Sequence, residues 1–166
     1  MTTSGVNVKG LSELSEFLDQ LPTKVQNNVM RGALRAGMSP VKEDAKTHAA
    51  VASGLLRDGL KVTTSNKAGV VTASLKATGK HARLAHLVEF GTSAHSIEAK
   101  DGGALSFGGG FVQHVDHPGA RAHPFMRPAF DGQAQNAVVA AAEYMKERLS
   151  TKEGLDTSAV LIEGDV

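Results

Sequence analysis

The chain contains no cysteine and no tryptophan, a single tyrosine (Tyr144) and only five prolines among its 166 residues. Without cysteine there is no disulfide scaffold, no thiolate zinc site and no cysteine nucleophile. One tyrosine and six phenylalanines leave little material for a pocket that stacks bases or sugars. No apolar run approaches the ~18 residues of a membrane-spanning helix. The opening MTTSGVNVKG also lacks the apolar stretch of a signal peptide. The expectation is a soluble protein used without crossing a membrane. An excess of one charge is missing too: 18 Lys and Arg face 17 Asp and Glu, for a net charge of +1. A nucleic-acid binder that relies on a broad basic field is therefore disfavoured.

What is present is a globular composition, 41% hydrophobic and 21% charged, on a length that suits one domain. Leu11, Leu14, Phe17, Leu18 and Leu21 recur at helical spacing and predict a first helix that Pro22 ends. Val25, Val29, Ala33, Leu34, Ala36 and Met38 predict a second helix, with a kink or break at Ser39-Pro40. Helical character then resumes through Val41, Ala45 and the run 49–52, until Ser53-Gly54 stops it.

From Leu60 the period changes to two. Leu60, Val62 and Thr64, then Val71, Ala73 and Leu75, predict a β-hairpin around the turn 65–69. Residues 80–88 read as a short helix. Next comes a stretch in which Gly102, Gly103, Gly108, Gly109, Gly110 and Gly119 crowd together. It also holds Ile97, Leu105, Phe107, Phe111 and Val112, which a flexible linker would lack. A Gly-rich β-hairpin flap over about 94–116 is expected. Phe130, Ala134, Ala137, Val138, Ala141, Met145 and Leu149 predict a final amphipathic helix opening at Pro128. The fold class is thus α+β: a single domain over 1–149, helices packed on a small, mainly antiparallel sheet. Residues 150–166 carry a net charge of −3 and read as an acidic C-terminal tail, with 159–162 able to form a strand.

Signatures of chemistry are incomplete. His114, Asp116, His117 and His123 carry zinc-type donors, and a metal-dependent enzyme built on them is one alternative reading. There is no HExxH, however, and His81 and His86 are five apart. The glycines match neither a P-loop nor a dinucleotide fingerprint, and no GxSxG elbow is present. Between Lys24 and Lys61, seven Lys or Arg face three acids. Asn28, Arg31, Arg35, Lys42 and Lys46 approximate one helix face, which opens a second alternative, a DNA-contacting connector. The sequence thus predicts no catalytic residue, no metal and no cofactor. Glu89 is the one acid of an apolar stretch. Arg127 is its preferred partner, the two locking a turn by a charge pair whose loss would cost on the order of 3–5 kcal/mol if buried.

Two stretches are more particular. One is His86-Leu87-Val88-Glu89-Phe90-Gly91-Thr92; the other runs from His117 to Phe130 and contains Pro124-Phe125-Met126-Arg127-Pro128. Together they resemble a family of small tail-component proteins of long-tailed double-stranded DNA bacteriophages, proteins of the neck, where the tail is joined to the head or completed. The VEFGT-like and PFMRPA-like segments, separated by a stretch of variable length, are the pattern, and the resemblance is drawn over about residues 5–149. It implies a non-enzymatic virion protein, made in the host cytoplasm, that works as a six-fold or twelve-fold ring. Its implied partners are tail-tube and head-side connector proteins; a passing contact with genomic DNA is a separate expectation that goes with the connector alternative above. Val88, Glu89, Phe90, Gly91 and Thr92, with Pro124 to Pro128, would form the assembly motif. Leu105, Phe107, Gly108, Gly109, Gly110 and Phe111 would form the flap.

Overall fold

The computed structural model describes residues 8–49, 54–80 and 82–164, with the backbone alone at 101, 107, 163 and 164. The helical run expected over 50–52 and the residue His81 lie outside these. In chain order the elements are β1 (Val8–Lys9), α1 (Leu11–Asp19), α2 (Thr23–His48), α3 (Leu55–Asp58), β2 (Leu60–Lys67), β3 (Val70–Ala77) and α4 (Ala82–Phe90). After them come β4 (His95–Glu98), β5 (Leu105–Phe107), β6 (Gly110–Val112), β7 (His114–His117), α5 (Met126–Glu153) and β8 (Glu163–Gly164). The architecture is the expected mixture of helices and small antiparallel sheets.

The frame is an antiparallel pair of long helices. Toward one end, Val29 and Ala33 of α2 meet Ala142, Met145 and Leu149 of α5, and Leu14 and Leu18 of α1 close that core. Toward the other, Ala45 and Ala49 meet Phe125 and Ala129, with Leu56, Leu60 and Ala85 filling in from α3, β2 and α4. Midway, a Cβ on Gly37 would lie 2.5 Å from the Ala137 carbonyl oxygen. A glycine there lets the two backbones approach.

This pairing overrides the break expected at Ser39-Pro40. Pro40 removes one helical hydrogen bond, yet α2 runs unbroken through it. Gly37, Val41 and Ala45 on either side are all buried, so the helix is held from outside. A second difference concerns α5, which opens at Met126 rather than at Pro128. Its buried stripe begins at Ala129, and Phe130, expected in the core, is 55% exposed.

The first hairpin forms in the expected register, with Leu60 opposite Ala77, Val62 opposite Leu75 and Thr64 opposite Ala73. Its turn is tighter than the sequence suggests: only Ala68 (φ 50) and Gly69 (φ 83) lie between the strands. Two consecutive positive φ values match the primed turns that suit the twist of paired strands.

The flap is a two-stranded arm. The bridge between Thr92 and Ala120 continues into the pairing of β4 with β7, and β5 and β6 close the tip across Gly108 and Gly109. Between them, residues 99–104 on the outgoing strand face Gln113 alone, and a 3₁₀ turn at Lys100–Gly102 takes up the excess. Phe111 is 81% exposed and all of β4 is exposed. A two-stranded ribbon is marginal in water without a covering layer. Amide exchange in the unassembled protein should therefore be fast across 94–116 and slow in the middle of α5. Equal strong protection in both would contradict this.

Residues after Ser150 return to the helices. Thr157 and Val160 are buried, Val160 against the core that contains Leu14 and Leu149. β8 pairs antiparallel with β1, Val8 opposite Gly164.

Candidate functional site

The two motifs meet, and they meet through backbone groups. α4 carries Val88 and Glu89 in its last turn, where its carbonyls lack helical partners. Segment 120–125 runs back past that end. His123 N–H donates to the Val88 carbonyl at 2.7 Å, while Thr92 and Ala120 exchange backbone hydrogen bonds of 2.9 and 3.1 Å. The Thr92 hydroxyl accepts a further bond from Ala120 N–H at 2.9 Å. Gly91 makes the crossing: its φ is +71°, and a Cβ there would stand 2.5 Å from the Ala120 carbonyl oxygen. Any side chain at this position would be both strained and in collision.

Glu89, 8% exposed, then caps α5 from outside that helix. Its Oε2 accepts the N–H groups of Phe125 at 2.8 Å and Met126 at 2.9 Å, and its Oε1 accepts that of Arg127 at 3.1 Å. A helix start leaves its first four N–H groups unpaired. Here the cap residue is Phe125, so those four positions are 125 to 128. Three are taken by the one carboxylate, and the fourth is Pro128, which has no N–H. Pro124, on the other side, also lacks one. The prolines thus bracket a run whose every backbone donor goes to Glu89. Phe125 itself is fully buried and anchors the run in the core beneath.

The arrangement corrects the expected Glu89–Arg127 charge pair. The two residues do come together, but through the Arg127 backbone N–H. The guanidinium carbon lies instead 5.9 Å from the centre of the exposed Phe90 ring, a cation–π distance. Sequence reasoning weighs side-chain charges and passes over orphan N–H groups. The available signal was three N–H-bearing residues set between two prolines.

Burial alone would push the Glu89 carboxyl up. The hydrogen bonds from Met126, Phe125 and Arg127, helped by the Arg127 charge, outweigh it and hold the group below the usual glutamate value. A helix N-terminus also favours the anion. A carboxylate kept ionised and fully engaged in this way is a structural lock and a poor general acid.

Beside the lock is an open groove of about 890 Å³, lined by Met38, Leu75, Ala85, Phe90, Met126 and Phe130 among others. Phe90 and Phe130 are 57% and 55% exposed on it. The flap residues stand apart from the lock, at the far end of the arm. There Leu105 is opposite Val112 and Phe107 is opposite Gly110.

The histidines are distributed along the arm. His114 Nε2 is 2.9 Å from Asp116 Oδ1, both exposed. His117 Nδ1 accepts the Gly119 N–H at 3.0 Å, and its ring lies 5.1 Å from that of His95 on the paired strand. His123 is exposed at the arm's base. Among the described residues, no three His, Asp or Glu side chains are grouped to hold a metal ion. The incomplete zinc signature in the sequence leads to the expectation that purified protein carries no stoichiometric metal. About one zinc per chain that survives dialysis and is lost in His114→Ala or His117→Ala would overturn that expectation.

No curated protein and no solved structure matches the chain at a significant level. Residues 12–91, from α1 to the next-to-last residue of the first motif, match the family described as "Bacteriophage HK97-gp10, putative tail-component". The arm, the second motif and α5 lie beyond the match, which is narrower than the span 5–149 suggested by the motifs. Over residues 12–91 the chain is similar to a phage tail component, as the VEFGT-like segment implied.

Proposed function

We propose that this chain is a structural, non-enzymatic virion protein that joins or completes a phage tail at the neck, working as a ring of six or twelve copies. Its neighbours in that reading are a tail-tube protein on one side and a head-side connector protein on the other. The observation that carries it is the match of residues 12–91 to a phage tail-component family. The physical form is in keeping. A closed ring needs two different, complementary surfaces on each subunit. The arm, with Phe111 exposed at its tip, and the helical body, with Phe90 and Phe130 exposed, are two unlike surfaces. The Glu89 lock fixes the base of the arm to α4 and α5, so force on the arm is passed to the helix pair. Among the described residues no helix is long and apolar enough to cross a membrane. A place in the virion, reached after synthesis in the host cytoplasm, is consistent with both observations.

Native mass spectrometry and electron microscopy of the purified full chain test the reading. Closed rings of six or twelve subunits, and the protein's presence in purified particles, are the expected results. A protein that stays monomeric at every concentration and is absent from particles would refute it.

A further inference from the structure

The polar stripe along α2 divides into two halves with different electrostatic surroundings. In the C-terminal half, Glu43 lies 3.5 Å from Lys42 Nζ and 3.0 Å from Lys46 Nζ, and offsets their charge. In the N-terminal half, Asn28, Arg31 and Arg35 are exposed. Among the described residues, no carboxylate is within ion-pair distance of either arginine.

Neighbouring elements shape this second half into a cleft. Arg35 Nη2 donates to the Thr64 hydroxyl at 3.3 Å, which draws the guanidinium against β2. From α5, the Tyr144 phenol packs against the turn of α2 that carries Arg31. A Cβ at Gly32 would stand 2.3 Å from the Tyr144 hydroxyl oxygen, so that approach requires a residue without a side chain. The resulting cleft, about 600 Å³, is lined by Asn28, Arg31, Arg35, Thr63, Thr64 and Tyr144, together with Gly32 and Val62. Two guanidiniums, the Asn28 amide and the Tyr144 hydroxyl line it, beside the Thr64 hydroxyl that Arg35 already engages, and no carboxylate contributes to the lining.

A concentration of donors with fixed positive charge and no competing acid is suited to phosphate oxygens, and the guanidinium fork is the group that matches their geometry. The shape favours a chain of phosphates over one small anion. Arg31 and Arg35 are one helical turn apart, about 6 Å along the axis. Lys24, also exposed, continues the same stripe beyond Asn28. We infer that the cleft between α2 and β2 binds the phosphodiester backbone of duplex DNA, without reading its bases. The net charge of +1 provides no long-range attraction, so the contact is local and depends on the two arginines.

The inference stands on the cleft and not on ring formation, and the two fail separately: one in a DNA-binding assay, the other in a subunit count. The experiment is fluorescence anisotropy of a labelled duplex with the full chain across a sodium chloride titration. Wild type should bind at low salt and weaken as salt rises. The slope of log K against log salt should flatten by about 0.9 in Arg31→Gln or Arg35→Gln, and by about twice that in the double variant. The double variant should also bind about tenfold more weakly at low salt. Lys42→Gln with Lys46→Gln should change neither quantity. Thermal unfolding of each variant shows that the fold is kept, as exposure of these side chains leads one to expect. Absence of wild-type binding at low salt, or equal slopes in the two double variants, would overturn the inference. So would polyglutamate displacing the duplex as well as unlabelled duplex does, which would mark a site for an acidic protein. Displacement by inorganic phosphate at the phosphate concentration at which duplex competes would mark a single-anion site.

Discussion

Glu89→Ala should lower the unfolding free energy by about 2–4 kcal/mol, since a buried N–H left without its acceptor costs about 1–3 kcal/mol and the charge-assisted bonds lost beside it add to that. The loss has a definite origin. Three N–H groups at the start of α5 would lose their acceptor, and the Phe125 N–H is buried where water cannot replace it. On a chain of this size the change corresponds to a fall in melting temperature on the order of 10 °C. Glu89→Gln should be nearly as harmful, since the amide nitrogen would present hydrogens to backbone donors. Arg127→Ala, by contrast, keeps the backbone N–H that Glu89 uses and loses the stacking on Phe90 together with a minor charge interaction with Glu89. That contact is worth about 0.5–1 kcal/mol at an exposed site. The double variant should then be milder than the sum of the singles by no more than ~0.5 kcal/mol, since the two side chains are coupled only through a weak charge interaction. A direct side-chain charge pair would make that shortfall considerably larger.

The same lock has a pH signature. Glu89 is held below its ordinary value of 4.5 in the folded protein, so the unfolded chain takes up this proton first as pH falls. Its contribution is fully present above 4.5 and is lost as pH drops through the lower, folded-state value. Urea unfolding of wild type and Glu89→Gln should show a gap that is constant near neutral pH and narrows below 4.5. A gap unchanged into strong acid would mean that the carboxylate charge does not hold the helix start.

How far the sequence anticipates this structure depends on how many residues carry each signal. α1, the first hairpin and the body of α5 each repeat their period over seven residues or more, and all three form. The arm was legible from apolar residues set among glycines. Its nested pairing, with the 3₁₀ turn on one strand, was not, because glycine-rich strands specify register weakly. β1 and β8, each two residues long, are too short to show a period. The unbroken passage of α2 through Pro40 was hidden for a different reason: a local breaker was overruled by packing that involves residues about a hundred positions away, at Ala137 and Ala141. Phe130 was misplaced through reliance on hydrophobicity. The helix begins two residues early because Glu89 caps it there, and the buried stripe passes through Ala129 instead. At the candidate site, the sequence brought the right segments together and named the wrong donor.

Phe111→Ser should abolish or strongly weaken ring formation while leaving the free subunit as stable as wild type. The two halves of this expectation rest on one observation, the 81% exposure of Phe111 in the isolated chain. A side chain with so little contact contributes little to folding, and exposed substitutions usually stay within ~0.5 kcal/mol. If the arm docks on a neighbouring copy, burying the same ring would contribute about 1.5–3 kcal/mol at each contact. A ring of several identical contacts multiplies that difference, so a change that is mild per contact becomes severe for closure. Gly108 and Gly109 turn the chain immediately before β6, so the ring is carried at the tip, where it reaches furthest from its own body. Sedimentation of the purified variant and its incorporation into particles give the readout, with thermal unfolding as the control. Rings that form normally from a folded Phe111→Ser protein would remove the arm tip from the assembly contact and leave the exposed Phe90–Phe130 face of the helical body to explain it.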